Sequence, residues 1–255
     1  MALGRSAAVV IGSFPLGESD RVVTFFSRDF GRLHGVAKAA RRIRSRFGGA
    51  LELFTLGQLV FFDTGRSDLV HIDHFDVTHP FAALREDLDT LGESAWIVEV
   101  VARTTGERDR QPALYGLLVR ALRAMQTSPR PARVAVCFGV RCLDVLGHRP
   151  RLDDCAECGR AYPFPRPALG EAGLVCEHCR PATDAVPVAP ATVVAFARLR
   201  SVRWEDAVAT PIGRAGLELR AVLETQLSRL IGQPTRSGRF LRELRRLEPT
   251  SGERA

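Results

Sequence analysis

Residues 22–62 read VVTFFSRDF GRLHGVAKAA RRIRSRFGGA LELFTLGQLV FF. Short runs rich in valine and phenylalanine, Val22–Phe26, Leu33–Ala37 and Leu51–Phe62, are separated by the turn signals Asp29-Phe30-Gly31 and Phe47-Gly48-Gly49. Ala7–Ile11 precedes them and Leu69–Val77 follows, with turn signals at Pro15-Leu16-Gly17 and Asp63-Thr64-Gly65. Within the last run His71, Asp73 and Thr78 interleave with Ile72, Phe75 and Val77, the period of a half-buried strand. Five such strands over residues 1–80 predict a small closed or nearly closed barrel, with an open meander as the alternative.

Beyond Pro80 the period changes. Phe81, Leu84, Leu88 and Leu91 recur at helical spacing, followed by Trp96, Val100 and Val101, then by Leu114, Leu117, Leu118, Ala121 and Leu122. Val134, Cys137, Phe138, Cys142, Val145 and Leu146 mark a further helix that Gly147 stops. These segments predict three packed helices. Residues 148–185 are rich in proline and glycine and bury little apolar surface alone. A helix is expected to start near Thr192, and another carries the stripe Leu219, Val222, Leu223, Leu227 and Leu230, ended by Gly232 and Pro234. Phe240, Leu241, Leu244 and Leu247 predict a last short helix with Arg239, Arg242, Arg245 and Arg246 on its polar side. The expected class is therefore α+β. Its expected divisions are a barrel over 1–80, helices over 81–147, a cysteine module over 148–185, closing helices over 186–247 and a disordered tail over 248–255.

The chain has 255 residues, 45% hydrophobic and 25% charged, in the range of ordinary globular proteins. No apolar run is long enough to span a membrane, and the apolar stretch near the start is too short for a signal peptide. A cytoplasmic protein is expected. The formal charge is +7, and Lys38 is the only lysine among 36 basic residues. Arginine forks bind phosphate well, but genome-wide base composition explains such a bias equally. The distribution decides more: residues 151–185 carry net −2 and residues 186–255 net +5.

Cys155 and Cys158 form one C-x-x-C pair, and Cys176 and Cys179 a second. That spacing fits a structural zinc site of four thiolates. In a reducing cytosol paired cysteines point to metal before disulfide. Four protein ligands leave no open position for water, which argues against catalysis at the metal. His178 lies between two of the cysteines and is expected to face solvent, while Cys137 and Cys142 are expected in a helical core. A zinc module that grips nucleic acid is normally basic, whereas this one is acidic, so a bracing role is expected.

Lys38, Arg41, Arg42, Arg44 and Arg46 fall within nine residues, and no acid lies between Phe30 and Leu51. Cations that close together repel one another unless an anionic partner relieves them. In a small barrel, a loop beside the strand face is where single-stranded nucleic acid lies. Phe47 is the expected exposed ring for base stacking. Leu16-Gly17-Glu18-Ser19-Asp20-Arg21 reads as a polar hairpin connection, and Glu18 with Asp20 would support carboxylate chemistry only if they faced a pocket. No phosphate-loop, nucleophile-elbow, H-E-x-x-H or dinucleotide pattern occurs, so no catalytic residues and no enzyme are expected.

Leu16-Gly17-Glu18-Ser19-Asp20-Arg21-Val22-Val23-Thr24, Arg28-Asp29-Phe30-Gly31-Arg32, Gly35-Val36-Ala37-Lys38-Ala39-Ala40-Arg41-Arg42 and Ser45-Arg46-Phe47-Gly48-Gly49-Ala50-Leu51-Glu52 together resemble the amino-terminal pattern of the RecO family of bacterial DNA repair and recombination mediators. The layout of barrel, helices and cysteine quartet is also similar, over about residues 5–247. One departure is Ala39-Ala40, where a glycine often follows the lysine. The resemblance implies an OB-fold barrel, a helical bundle and an inserted zinc module. It implies binding of single- and double-stranded DNA, annealing of complementary strands, and action with RecR to help RecA displace single-stranded DNA-binding protein. It places the protein with the nucleoid. The family's basic patch carries over to Lys38, Arg41, Arg42, Arg44 and Arg46, and extends to Arg21 and Arg32. A second strand is expected on the carboxy-terminal arginines, Arg239 and Arg242 among them. The rival readings are a zinc-ribbon transcription or RNA-binding factor and an enzyme using zinc or the Glu18/Asp20 pair.

Overall fold

A computed structural model describes residues 2–65 and 67–247. The chain divides into two compact units, Met1–Thr127 and Ser128–Ala255. The tail from residue 248, expected to be disordered, lies outside the described residues.

The first unit opens with five strands: β1 (Ala2–Leu16), β2 (Asp20–Ser27), β3 (Gly31–Ala37), β4 (Leu56–Asp63) and β5 (Leu69–His79). They close into a barrel in the order β1-β2-β3-β5-β4. β1 is long enough to serve both sides of the closure. Its first half pairs with β4 from Ala2 to Val9, and its second pairs with β2 from Ala8 to Leu16. An irregularity between Val10 and Gly12 marks where the strand bends. β3 and β5 run parallel, and the other pairings are antiparallel. This order, closed with no free edge, is the five-stranded Greek-key barrel of the OB-fold. The open meander is excluded.

Ala8, Val10, Val23, Phe25, Leu33, Leu59, Phe61, Val70, Ile72 and Phe75 alternate inward and fill the barrel. Gly31, at the β2–β3 turn, has φ 64°. A Cβ there would lie 2.0 Å from the Asp109 carbonyl oxygen, so only glycine lets the loop after the next helix settle onto that turn.

After β5 a one-turn 3₁₀ helix covers Ala82–Arg85, followed by α1 (Leu88–Thr104) and α2 (Pro112–Thr127). The apolar spacing from Phe81 suggests one continuous helix, but the chain breaks it. The Asp87 carboxylate accepts a hydrogen bond from the Thr90 amide at 2.8 Å, and α1 starts from that cap. Phe81 and Leu84 are buried before the break, while Leu88 is 56% exposed. Trp96, Val100 and Val101 of α1 and Leu114, Leu117, Leu118, Ala121 and Leu122 of α2 are buried as their period predicts.

The second unit contains α3 (Pro131–Val145), α4 (Pro190–Ser201), α5 (Trp204–Ala209), α6 (Gly213–Ile231) and α7 (Arg236–Leu247). α3 packs against α4, α5 and α6. Cys137 and Cys142 are fully buried in α3, and burial pushes both thiols up to about 12, as befits core residues. α5 is too short to show a period and has no counterpart in the sequence reading; buried Trp204 anchors it. α6 ends at Gly232, whose φ of 80° supplies the left-handed cap. Between α3 and α4 lies a small sheet of three two-residue strands, β6 (Ala168–Leu169), β7 (Leu174–Val175) and β8 (Val186–Pro187), in the order β7-β6-β8. Among the described residues no helix is long and apolar enough to cross a membrane.

Candidate nucleic-acid interface and metal centre

The connection between β3 and β4, residues 38–55, is neither helix nor strand. It is a chain of tight turns, closed by Arg42 N–H to Ala39 C=O, Ser45 to Arg42, Gly48 to Ser45 and Ala50 to Phe47. Leu51 and Phe54 drop into the interior and pin the connection to the barrel. Phe47 does the same. It is 5% exposed, inside the barrel core, with the Arg46 guanidinium 5.0 Å from its ring centre. The expectation of an exposed stacking ring at Phe47 is therefore corrected. The ring points inward, where burying a phenyl group stabilises by about 1.5–3 kcal/mol.

The same turns hold the cations outward. Lys38, Arg41, Arg42, Arg44 and Arg46 are all exposed. Among the described residues none of the five forms a salt bridge. The β1–β2 turn fixes their backbone. The Ala39 amide donates to Asp20 Oδ1 at 2.8 Å, the Arg41 amide to the Ser19 carbonyl at 2.9 Å, and the Arg41 side chain to the Gly17 carbonyl at 2.9 Å. Arg46 reaches the Ile72 carbonyl at 3.3 Å. Ala39 has φ 55°, the left-handed conformation that glycine takes freely. The turn is thus kept although alanine stands where the family pattern often has glycine.

Asp20 emerges as a positioning residue, not half of a carboxylate pair. The Ala39 amide first, then the Ser19 hydroxyl and the charges of Lys38 and Arg42, hold its carboxyl below the usual carboxylate range. A carboxylate with a lowered native pKa adds stability above the ordinary range and loses it as pH falls through the native value. Asp20→Asn should therefore lower the urea midpoint at pH 7, and the loss should shrink as the pH falls and the native carboxyl takes up its proton. An equal loss at every pH would show that its charge does not secure the loop. Glu18 is exposed on the same turn.

The other expected basic residues are more occupied. Arg21 pairs with Glu52 at 3.3 Å. Arg32 turns toward α1, where it donates to the Ala102 carbonyl, and its own carbonyl accepts from Arg108. On α7, Arg239 is exposed, but Arg242 is paired with Glu224 at 2.5 Å. Glu224 also receives Arg220 at 2.9 Å. Sequence spacing shows which face of α7 is polar but not that an acid on α6 engages one of its arginines.

The four cysteines converge. Their sulfurs all lie within 4.8 Å of one another, with Cys158 and Cys176 Sγ 3.9 Å apart. Metal–sulfur bonds of about 2.3 Å in a tetrahedron would set the sulfurs roughly 3.8 Å apart, so the donor set fits one four-coordinate thiophilic ion. Two knuckles build the site. In the first, Cys155 N–H donates to the Arg160 carbonyl and Gly159 N–H to the Cys155 carbonyl, with Gly159 at φ 72°. Gly159, immediately after Cys158, is the local sequence signal of this knuckle. In the second, Arg180 N–H donates to the Cys176 carbonyl. Burial opposes ionisation of Cys155, but the amides of Cys158, Cys176 and Glu157 prevail and bring its thiol down to about 6. Gly173 (φ 146°) lets the β6–β7 turn lie against Arg151, whose carbonyl oxygen a Cβ would meet at 2.3 Å. His178 is 78% exposed and faces Glu177, outside the cluster.

Two family models match the chain: "Recombination protein O N terminal" over residues 1–81 and "Recombination protein O C terminal" over 85–239. A curated protein of Anaeromyxobacter dehalogenans (strain 2CP-C), named DNA repair protein RecO, is 36% identical over 248 residues, 94% of this chain and 96% of its own length. A protein of the same name from Syntrophobacter fumaroxidans is 38% identical over 161 residues, 63% of this chain and 64% of its own.

Proposed function

The chain belongs to the RecO family, whose members act in DNA repair and recombination, and from that premise we propose that it is a non-catalytic DNA-binding mediator that brings complementary strands together. The observation that carries this reading is the preorganised rim of Lys38, Arg41, Arg42, Arg44 and Arg46, exposed and without salt bridges among the described residues. Guanidinium forks on a loop whose backbone is already fixed match phosphate oxygens, and binding need order only their side chains. They read the backbone, not base edges, so both single- and double-stranded DNA are ligands and sequence preference is weak. Arg239 on α7 offers a second basic contact, in the part of the chain with net charge +5. Neutralising two backbones at once reduces the repulsion that opposes annealing.

In this reading the cysteine quartet holds one zinc ion, which braces the segment between α3 and α4 and does no chemistry, because four thiolates leave no position for water. The divisions at residues 80, 147, 185 and 247 assign binding to the barrel and scaffolding to the rest. The family resemblance supports RecR and single-stranded DNA-binding protein as partners and RecA loading as the outcome, in the cytoplasm with the nucleoid.

Annealing of complementary fluorescent oligonucleotides at two salt concentrations tests the proposal. The protein should speed annealing well above the spontaneous rate at low salt and lose most of that effect at high salt. A rate indistinguishable from protein-free controls at low salt would refute strand annealing.

A further inference from the structure

Ile43 stands fully exposed between Arg42 and Arg44. The hydrogen bond from Ser45 N–H to the Arg42 carbonyl, 2.9 Å, closes a turn in which Ile43 and Arg44 are the two central residues. Central positions of a turn project outward, and a β-branched apolar side chain contributes nothing to the turn there. Single exposed aliphatic residues are common and need no explanation. This one differs in its setting. Lys38, Arg41, Arg42 and Arg44 are exposed around it, and the loop is hydrogen-bonded through Arg41 to Gly17 and Ser19 of the β1–β2 turn. That hairpin adds exposed Phe14 (53%) and Leu16 (40%). The rim therefore exposes apolar Ile43, Phe14 and Leu16 along with its cations, while both aromatic rings of the loop, Phe47 and Phe54, are buried.

A double helix presents phosphates and covers its base faces. A single strand presents both. An apolar tip set among phosphate-binding cations matches the second surface, since an unstacked base face is apolar area that an aliphatic side chain can remove from water. We propose that Ile43 is the contact for an unpaired base, so that the loop holds a single strand by its phosphates on the arginines and by one base on the isoleucine. The proposal rests on the DNA-binding reading of the same rim and adds to it a preference for unpaired DNA.

Two classes of interaction separate in salt. Ion release sets the slope of log K against log salt, and apolar contact shifts K at every salt alike. The full-length protein, Ile43→Ala and Ile43→Leu are titrated with a single strand carrying 2-aminopurine and with a blunt duplex, across a salt series. Ile43→Ala should weaken single-strand binding by about threefold to tenfold at each salt concentration, with the slope unchanged. It should reduce the rise in 2-aminopurine fluorescence that accompanies unstacking and leave duplex binding and the thermal midpoint as they were. Ile43→Leu should restore both signals. Equal single-strand affinity for Ile43→Ala and the native protein, or equal losses on strand and duplex, would overturn the assignment while leaving the arginines' role intact. Native protein that binds neither DNA with a salt slope would overturn both.

Discussion

Replacing Arg41, Arg42 and Arg44 together by alanine should flatten the salt dependence of DNA binding more than any other change to the described surface. Each phosphate neutralised contributes about 0.7 to the slope for single strands and about 0.9 for duplex, so three lost contacts remove roughly 2 and 2.7 from the two slopes. Extrapolated to about 50 mM salt, the same relation weakens single-strand binding by two to three orders of magnitude. Binding isotherms over a salt series measure both quantities. The fold should survive, because these side chains are exposed and the turns are held by backbone bonds, by Asp20 and by buried Phe47, Leu51 and Phe54. Arg41 is the one of the three with a structural bond, to the Gly17 carbonyl, so a thermal melt should accompany the titrations. An unchanged slope with unchanged melting would move the nucleic-acid surface away from this loop. As a contrast, Arg242→Ala should change the slope little, since Glu224 already engages that guanidinium.

The barrel was legible because its strands alternate and its connections carry glycine. Val22–Phe26 and Leu33–Ala37 lie within β2 and β3, and the basic run lies in a connection. What alternation cannot convey is closure: only the pairing of β1 with both β2 and β4 shows that no edge is left free. β1 extends to Ala2 and Leu16 because it must reach two partners, although its flanks, Gly4, Arg5 and Pro15, carry no strand signal of their own. Leu51–Phe54 looked like the start of β4 because it is apolar. It is instead the plug beneath the barrel, with Phe54 at φ 75°, and composition alone does not separate a plug from a strand. A phenylalanine beside five cations reads equally as a stacking surface or as an anchor, and only the burial of Phe47 in the barrel core decides. The cysteine quartet was fully legible, since the spacing of C-x-x-C pairs encodes knuckle geometry directly. The pairing of Arg242 with Glu224 was not, because it joins two helices at a separation no local period records.

Emptying the cysteine quartet of the zinc proposed for it should be the most damaging change to the second unit. The segment between α3 and α4 has three strands of two residues each, and such strands cannot hold themselves. Yet other elements depend on this segment. Gln226 of α6 donates to the Gly170 carbonyl at 2.7 Å in a buried bond, Arg229 pairs with Asp184 at 2.5 Å, and Arg200 of α4 donates to the Pro150 carbonyl at 3.0 Å. Structural zinc supplies an apparent ~10–16 kcal/mol at neutral pH, as much as the whole stability of a typical domain. Cys155→Ser with Cys176→Ser removes one ligand from each knuckle, both of them buried. The double variant should lose its stoichiometric metal, release the 150–188 segment to protease, and lose the apolar contacts of Leu169, Leu174 and Val175. Helical circular dichroism should fall as α4 and α6 loosen. Salt-dependent DNA binding through Lys38–Arg46 should persist in part, because the first unit closes its own barrel and fills it with its own side chains. Metal analysis, limited proteolysis and DNA titration on one preparation separate these effects. If the variant keeps native protease resistance without metal, the quartet does not brace the unit, and its thiolates must serve something other than architecture.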